Sequence, residues 1–399
     1  MSHDRAVAVD PAQHRGKAFG RLTGVGGALA VAGVGASVAL AGGTPQFYFS
    51  WLVAYLFFLS IALGGLFFVL VLAVSRAGWG VSLRRVVENV MATLPVFAVL
   101  FVPIWLGRHE LYAWARPEEV AKSALLRGKA PFLNEDFWFV RAILYFVAWS
   151  ALATFFSTQS QKQDETGDER ISARMRGIAP VGIILFALST TFCSIDWMMS
   201  LEPEWYSTMY GVYFFSGAVI AIFSFVILLV QFAYTQGALR GVVTTEHLHD
   251  VGKLLFGFTI FWAYIAFSQY FLIWYGNIPE ETVYYMKRQV GSWQSVGMLL
   301  AYGHFLLPFF FLMPRAAKRS SALLVIAAVW QLFMHFLDLH WAIMPVLHPE
   351  SARPGFVDLA AFSAVGGVFL AAIGWVSSRR ALVPLGDPRL PEALSFENV

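Results

Sequence analysis

The sequence predicts an all-α polytopic membrane protein: ten transmembrane helices, arranged as two four-helix bundles plus two flanking helices, with cytoplasmic N- and C-termini. Three observations carry this. Of the 399 residues 58% are hydrophobic and 13% charged, whereas a soluble domain carries about 25% charged residues. Apolar runs near the roughly 20 residues that cross a bilayer recur along the whole chain. The segments between them collect Lys, Arg, Pro and interfacial Trp and Tyr.

The apolar runs predict helices over 18–41, 48–75, 90–107, 137–158, 177–199, 209–234, 252–275, 293–313, 321–345 and 357–378. An even number places both ends on one side. With the termini inside, 19 of the 28 Lys and Arg residues fall on inner segments, from Arg5, Arg15 and Lys17 to Arg389; the other 9, among them Arg141, Arg288 and Arg353, fall outside. The positive-inside rule then favours cytoplasmic termini. The chain divides into 1–47 (N-terminal segment and first flanking helix), 48–199 and 200–345 (the two bundles), and 346–399 (last flanking helix and tail).

In the first span Gly16, Gly20 and Gly24 stand four apart, a spacing that lets helices approach closely. The segment 107–136, charged and with Pro117 and Pro131, is the largest external one and is expected to form a small amphipathic cap and docking surface. The polar stretch 159–176 reads as a solvated connector. The tail beyond Arg380, with Pro384, Pro388 and Pro391, reads as an extended arm, mobile or bound to a partner. The fifth span ends I-D-W-M-M (Ile195–Met199) and the ninth L-H-W-A-I-M-P (Leu339–Pro345). Aligning Trp197 with Trp341 sets Asp196 on His340; either an internal repeat or independent aromatic anchoring accounts for the match.

Cys193 is the sole cysteine. The chain alone therefore forms no intramolecular disulfide and holds no cysteine-ligated iron–sulfur cluster or c-type haem. No Gly-rich nucleotide loop stands out, and neither a metal site nor a nucleic-acid partner is expected. The first apolar segment is too long for a signal peptide and lacks a clear cleavage site.

Against this apolar background the intramembrane polar groups are informative. Asp196 sits in the end of the fifth span, and a carboxylate at such depth costs roughly 2.5–3.5 kcal/mol on insertion scales unless it finds a partner, a proton or water. His304 and His335 fall near mid-depth at 1.5 Å per residue, Asp338 shares a face with His335, His340 and Gln269 lie toward the outside, and Tyr264 lies deeper in the seventh span. These residues form a ladder from mid-membrane outward. His249, Asp250 and Lys253 line the cytoplasmic mouth. Three readings compete: a proton path or quinone pocket built on titratable acceptors, a b-type haem held by His304 and His335, and polar groups buried only for helix association.

D-W-M-M-S-L-E-P-E-W-Y-S-T-M-Y-G (Asp196–Gly211), H-D-V-G-K-L-L-F-G-F-T-I-F-W-A-Y-I-A-F-S-Q-Y-F-L-I-W-Y-G-N-I-P-E-E-T (His249–Thr282) and H-F-L-D-L-H-W (His335–Trp341) resemble the quinone-binding membrane subunits of alternative complex III, a branch of the polysulfide-reductase-type membrane anchors. The closest likeness is to the second, smaller ten-helix subunit. The resemblance implies a multi-pass subunit of the bacterial inner membrane, within a complex that oxidises menaquinol or ubiquinol and reduces cytochrome c. It also implies partners: a sister ten-helix quinol-binding subunit, an iron–sulfur protein and c-type cytochromes that carry the iron–sulfur clusters and haem c, and a terminal oxidase. One departure stands out. The sister subunit reads G-W-H-S-T where this chain reads E-W-Y-S-T, with Tyr206 in place of the histidine. The expected role is a proton-transfer path with a quinone pocket; the alternative is a scaffold that docks the peripheral subunits without a quinol site of its own.

The charge split generates a prediction. A reporter that is active only in the periplasm, fused after Arg380, should be silent; periplasmic activity there would invert the topology.

Overall fold

The computed structural model describes residues 16–352 and 354–398. Arg5, Arg15, Arg353 and the side chain of Lys17, used above in the charge count, lie outside the described residues. No β-strand occurs among the described residues. Among the same residues ten helices are long and apolar enough to cross a membrane. They are span 1 (Gly20–Ala41), span 2 (Pro45–Ser75), span 3 (Gly78–Leu106), span 4 (Glu135–Thr166), span 5 (Glu169–Leu201), span 6 (Tyr210–Thr235), span 7 (Thr245–Gly276), span 8 (Trp293–Leu312), span 9 (Ser321–Val346) and span 10 (Phe356–Ser378). The chain is an all-α multi-pass membrane protein.

Spans 2 and 6 are the axis of the molecule. They pack on each other, and about four-fifths of their apolar windows are buried (78% each), against 22% for span 1. Spans 2 to 5 pack among themselves, as do spans 6 to 9, and span 2 also reaches spans 9 and 10. Span 1 lies along span 10. There the backbones nearly touch: a Cβ on Gly33 would sit 2.3 Å from the Ala364 nitrogen, and one on Gly367 2.3 Å from the Ala30 nitrogen. Small residues permit this approach. The glycines on the contact are Gly26 and Gly33, not the expected run: Gly24 faces open space, and of that run only Gly16 is tightly packed, against Ser377.

Two connections differ from expectation for one reason. Span 3 begins a dozen residues early, and spans 4 and 5 extend through most of 159–176, leaving a turn at Gly167 (φ 65°). The polar residues that read as loop are paired inside helices. Arg84 and Arg85 each donate to Glu88 (3.0 and 2.9 Å), Arg85 also reaches Asp164 (2.7 Å), and Gln163 donates to Ser172 (2.7 Å).

The tail is neither extended nor free. Asp387 closes an ion pair with Arg84, and the Gly386 N–H donates to Asp164 (3.1 Å). Phe396 packs between Trp79 and His247, with ring centroids 6.2 and 5.5 Å away. Asn398 accepts from Lys253 (2.8 Å) and donates to the Glu246 carbonyl (3.2 Å). The tail thus straps span 3 to span 7 across the end of the molecule where the described residues begin, at Gly16, and end, at Asn398, called here the terminal face; the opposite end is the far face. On the far face, 107–136 forms several short helical turns, as the cap reading expects.

The glycine contact is testable by thermal unfolding of the purified protein. Gly367→Leu should lower Tm, since forced overpacking costs about 1–3 kcal/mol or more. Gly24→Leu, in open space, should leave Tm unchanged or raise it; equal effects would disprove the contact.

Candidate functional site

The two intramembrane acids have different surroundings. Asp196, at the far end of span 5, is fully buried. Arg141 of span 4 grips it with both fork nitrogens (Nε and Nη2, each 2.8 Å), and Tyr145, one turn along the same helix, donates its hydroxyl at 2.6 Å. Arg141 Nη1 is spent on the Phe132 carbonyl (3.0 Å), and its guanidinium lies 4.0 and 4.3 Å from the ring centroids of Phe132 and Phe137. Trp138 Nε1 donates to the Asp196 carbonyl (3.0 Å). The acid thus accepts three charge-assisted hydrogen bonds, two of them from one guanidinium.

Asp338, on span 9, accepts from the Tyr213 hydroxyl of span 6 and from Trp262 Nε1 of span 7 (3.1 Å). Each carboxylate oxygen retains acceptor capacity. Asp338 forms part of the wall of a cavity of about 700 Å³ between spans 7, 8 and 9, which Tyr264, Gln269, Tyr285, Arg288 and Trp341 also line. That volume lies within the roughly 300–1,000 Å³ of small-molecule sites. On the span 7 side of the cavity Tyr264 and Phe267 are both 64% exposed on the surface of the helix, so the cavity is bordered by the lipid-facing side of the protein.

Toward the far face the cavity is roofed by 284–288, on which the 202–209 segment packs. Trp205 stacks on Tyr284 at 4.0 Å. The Arg288 guanidinium lies 3.4 Å from the Tyr284 ring centroid, and Arg288 Nη2 lies 2.7 Å from Glu202. Arg288 also donates to the carbonyls of Tyr284, Trp341 and Ala342 (2.9, 3.2 and 2.7 Å). Two of these are end-of-helix carbonyls of span 9, which need outside donors. Burial opposes the Arg288 charge most strongly, but Tyr284 and Glu202 more than offset it and hold the group above its ordinary value. Burial likewise raises the Tyr284 and Tyr285 hydroxyls, which stay protonated. Beside this layer Ser207 Oγ donates to Gln269 Oε1 (2.8 Å), and Gln269 Nε2 donates to the Tyr285 oxygen (3.0 Å).

The histidines lie behind the cavity rather than in it. His304 sits in a π-helical stretch, Leu300–Leu306, a wider turn often found at functional sites. Its ring lies flat on Trp262 at 4.0 Å, beside the Met334 backbone. His335 Nε2 is 2.8 Å from Ser60 Oγ, which donates its own proton to the Phe57 carbonyl; His335 therefore carries its proton on Nε2 and leaves Nδ1 bare beside Gly217. His340 packs between Phe336 and Trp293, away from the cavity. Neither His304 nor His335 is among the residues that line the cavity.

The expected ladder is thus not continuous. Asp338, Gln269 and Tyr264 meet at the cavity, His304 touches it only through Trp262, and Asp196 belongs to the other group of helices. His249, Asp250 and Lys253 lie at the terminal face, where Lys253 pairs with Asp250. Between Lys253, the innermost of them, and Thr259, the next polar side chain along this helix, run about 9 Å of helix whose buried side chain, Leu255, is apolar, with Leu324 of span 9 alongside. Tyr206 is 61% exposed, with Lys129 Nζ 5.8 Å from its ring centroid, and takes no part in the cavity.

Sequence reasoning missed Arg141, Tyr145, Tyr213, Trp262, Arg288 and Tyr285. Arg141 alone carried a signal, a cation one turn before Tyr145 inside an apolar run. Among the described residues no three His, Cys, Asp or Glu side chains gather as a metal site requires. Fold and site together define a multi-pass helical membrane protein with one buried ion-paired acid and one acid opening on a cavity beside the lipid-facing surface. No protein-family model and no curated protein matches the chain.

Removing one partner of a buried ion pair leaves an uncompensated charge and costs about 3–5 kcal/mol. Arg141→Met should therefore sharply lower Tm, and the double variant Arg141→Met with Asp196→Asn should recover most of the loss. Additive losses in that double-mutant cycle would show that the pair is not coupled.

Proposed function

We propose that this chain is a quinone-binding subunit of a membrane oxidoreductase complex of the bacterial inner membrane, oxidising quinol and passing electrons to cytochrome c through partner subunits. The observation that carries the reading is the Asp338 cavity. It borders the lipid-facing side, where a quinone with a prenyl tail would enter; it has aromatic walls that suit a flat ring; and Asp338 puts a carboxylate in its wall. Such a site needs few polar groups in a largely apolar lining. The motifs that resemble alternative complex III subunits, His249–Thr282 and His335–Trp341, contribute Trp262, Gln269, Asp338 and Trp341 to this cavity.

Oxidation of a quinol releases two electrons and two protons. On this reading Asp338 accepts one proton from a ring hydroxyl, held in position by Tyr213 and Trp262. The second leaves toward the far face, which is the periplasmic side when the termini are cytoplasmic. The electrons leave to an iron–sulfur partner and then to c-type cytochromes. A sister ten-helix subunit and a terminal oxidase complete the assembly that the resemblance implies. Asp196, already paired with Arg141, has no role in this path. The exposed position of Tyr206 beside Lys129 favours one element of the scaffold alternative, a far-face patch for peripheral subunits, and the two roles are compatible.

The deciding experiment is quinol oxidation per assembled complex for Asp338→Asn. Loss of a general base typically removes about 10²–10⁴-fold of rate, so turnover should fall by that order while subunit stoichiometry is kept. Full turnover in the intact complex would leave the chain with the scaffold role alone.

A further inference from the structure

The roof of the cavity contains a chain of hydrogen bonds with a direction. The Met209 N–H donates to Ser207 Oγ (3.3 Å). That hydroxyl then donates to Gln269 Oε1 (2.8 Å), which fixes the amide with its nitrogen toward Tyr285 (3.0 Å). The Tyr285 oxygen is thereby an acceptor within the chain, and its own O–H proton has no acceptor among the described residues. Gln269 is buried, and both Gln269 and Tyr285 line the cavity. The donors along this line all run one way and polarise one another.

From this we infer that Tyr285 is the residue that recognises a carbonyl oxygen of the ring bound in the cavity, and that Gln269 and Ser207 are positioning residues that turn its proton toward the ligand. The inference rests on the quinone reading above and adds the group that binds the ligand's oxygen. Asp338 does not duplicate this function, because a carboxylate accepts and a carbonyl oxygen also accepts. A phenol held protonated by burial supplies the missing donor. The site therefore selects ligands with a ring oxygen on the roof side, and a flat hydrocarbon of the same size gains nothing from Tyr285. Gln269→Glu separates this role from packing: a carboxylate at 269 accepts from both Ser207 and Tyr285, so it draws the Tyr285 proton away from the cavity while the hydroxyl stays in place.

The test is tryptophan-fluorescence titration of the full chain in lipid nanodiscs, using the indoles of Trp262 and Trp341. The probes are a decyl benzoquinone, a decyl naphthoquinone and a decyl naphthalene without carbonyls. Tyr285→Phe should weaken both quinones about three- to tenfold, the loss of one net hydrogen bond, and leave the naphthalene unchanged. Gln269→Glu should reproduce that loss, and Ser207→Ala should fall between it and the wild type. If the wild type shows no saturable quinone binding, the quinone reading itself falls. If it binds quinones and Tyr285→Phe binds them equally well, the Tyr285 assignment is overturned and the cavity stands. If Tyr285→Phe weakens quinones and naphthalene alike, Tyr285 only packs. If Tyr285→Phe weakens quinones alone but Gln269→Glu does not, the amide runs the other way and the positioning role is wrong.

Discussion

A carboxylate inside a bilayer has to find donors, and most of the specific geometry in this protein follows from how that demand is met. At Asp196 a guanidinium fork, a phenol and the surrounding aromatic rings close around the charge. The result is a fastener between spans 4 and 5. At Asp338 the donors are neutral, a phenol and an indole, and they come from two different helices. Neutral donors hold the group in place without neutralising it, and the adjoining space remains open. The same residue type thus produces a structural lock in one half of the molecule and a chemically available group in the other.

The same accounting governs the ends of the helices. Arg288 caps the exposed carbonyls of span 9 and at the same time supports Tyr284 and pairs with Glu202. It ties the 202–209 segment and 284–288 to span 9, so the roof of the cavity depends on a charge satisfied at several points. At the terminal face Arg84, Arg85, Glu88, Asp164 and Asp387 form a comparable network. Isolated surface ion pairs contribute little, but here Arg84, Arg85, Glu88 and Asp387 are buried and Asp164 is half-buried, so these pairs are screened far less than surface ones.

The ten spans were legible because length and hydropathy are local properties. Their ends were less so. Arg84, Arg85, Gln163 and Asp164 read as loop because charge normally marks solvent; their partners lie up to some 300 residues away, and no local pattern reports that. Asp196 was recognisable as a costly residue, but Arg141 was counted with the outer charges because pairing across two helices leaves no mark in either. Helical spacing placed His335 and Asp338 correctly on one face of span 9. It did not reveal that the face is split, with Asp338 on the cavity and His335 turned to Ser60 of span 2. Gln269 was identified as polar and intramembrane. Its link to Ser207 and Tyr285 depends on how two far-face segments fold over it, which is a matter of tertiary packing.

The strap across the terminal face bears on how the molecule is made. Arg84 and Arg85 enter the membrane region with span 3, whereas Asp387 follows span 10 in chain order. Throughout synthesis of the seven intervening spans Arg84 has Glu88 but not its second carboxylate. Spans 3 and 7 are likewise not joined by Phe396 and Asn398 until that segment has left the ribosome. In chain order the strap is therefore the last of these contacts that can form, closing over helices already joined through spans 2 and 6.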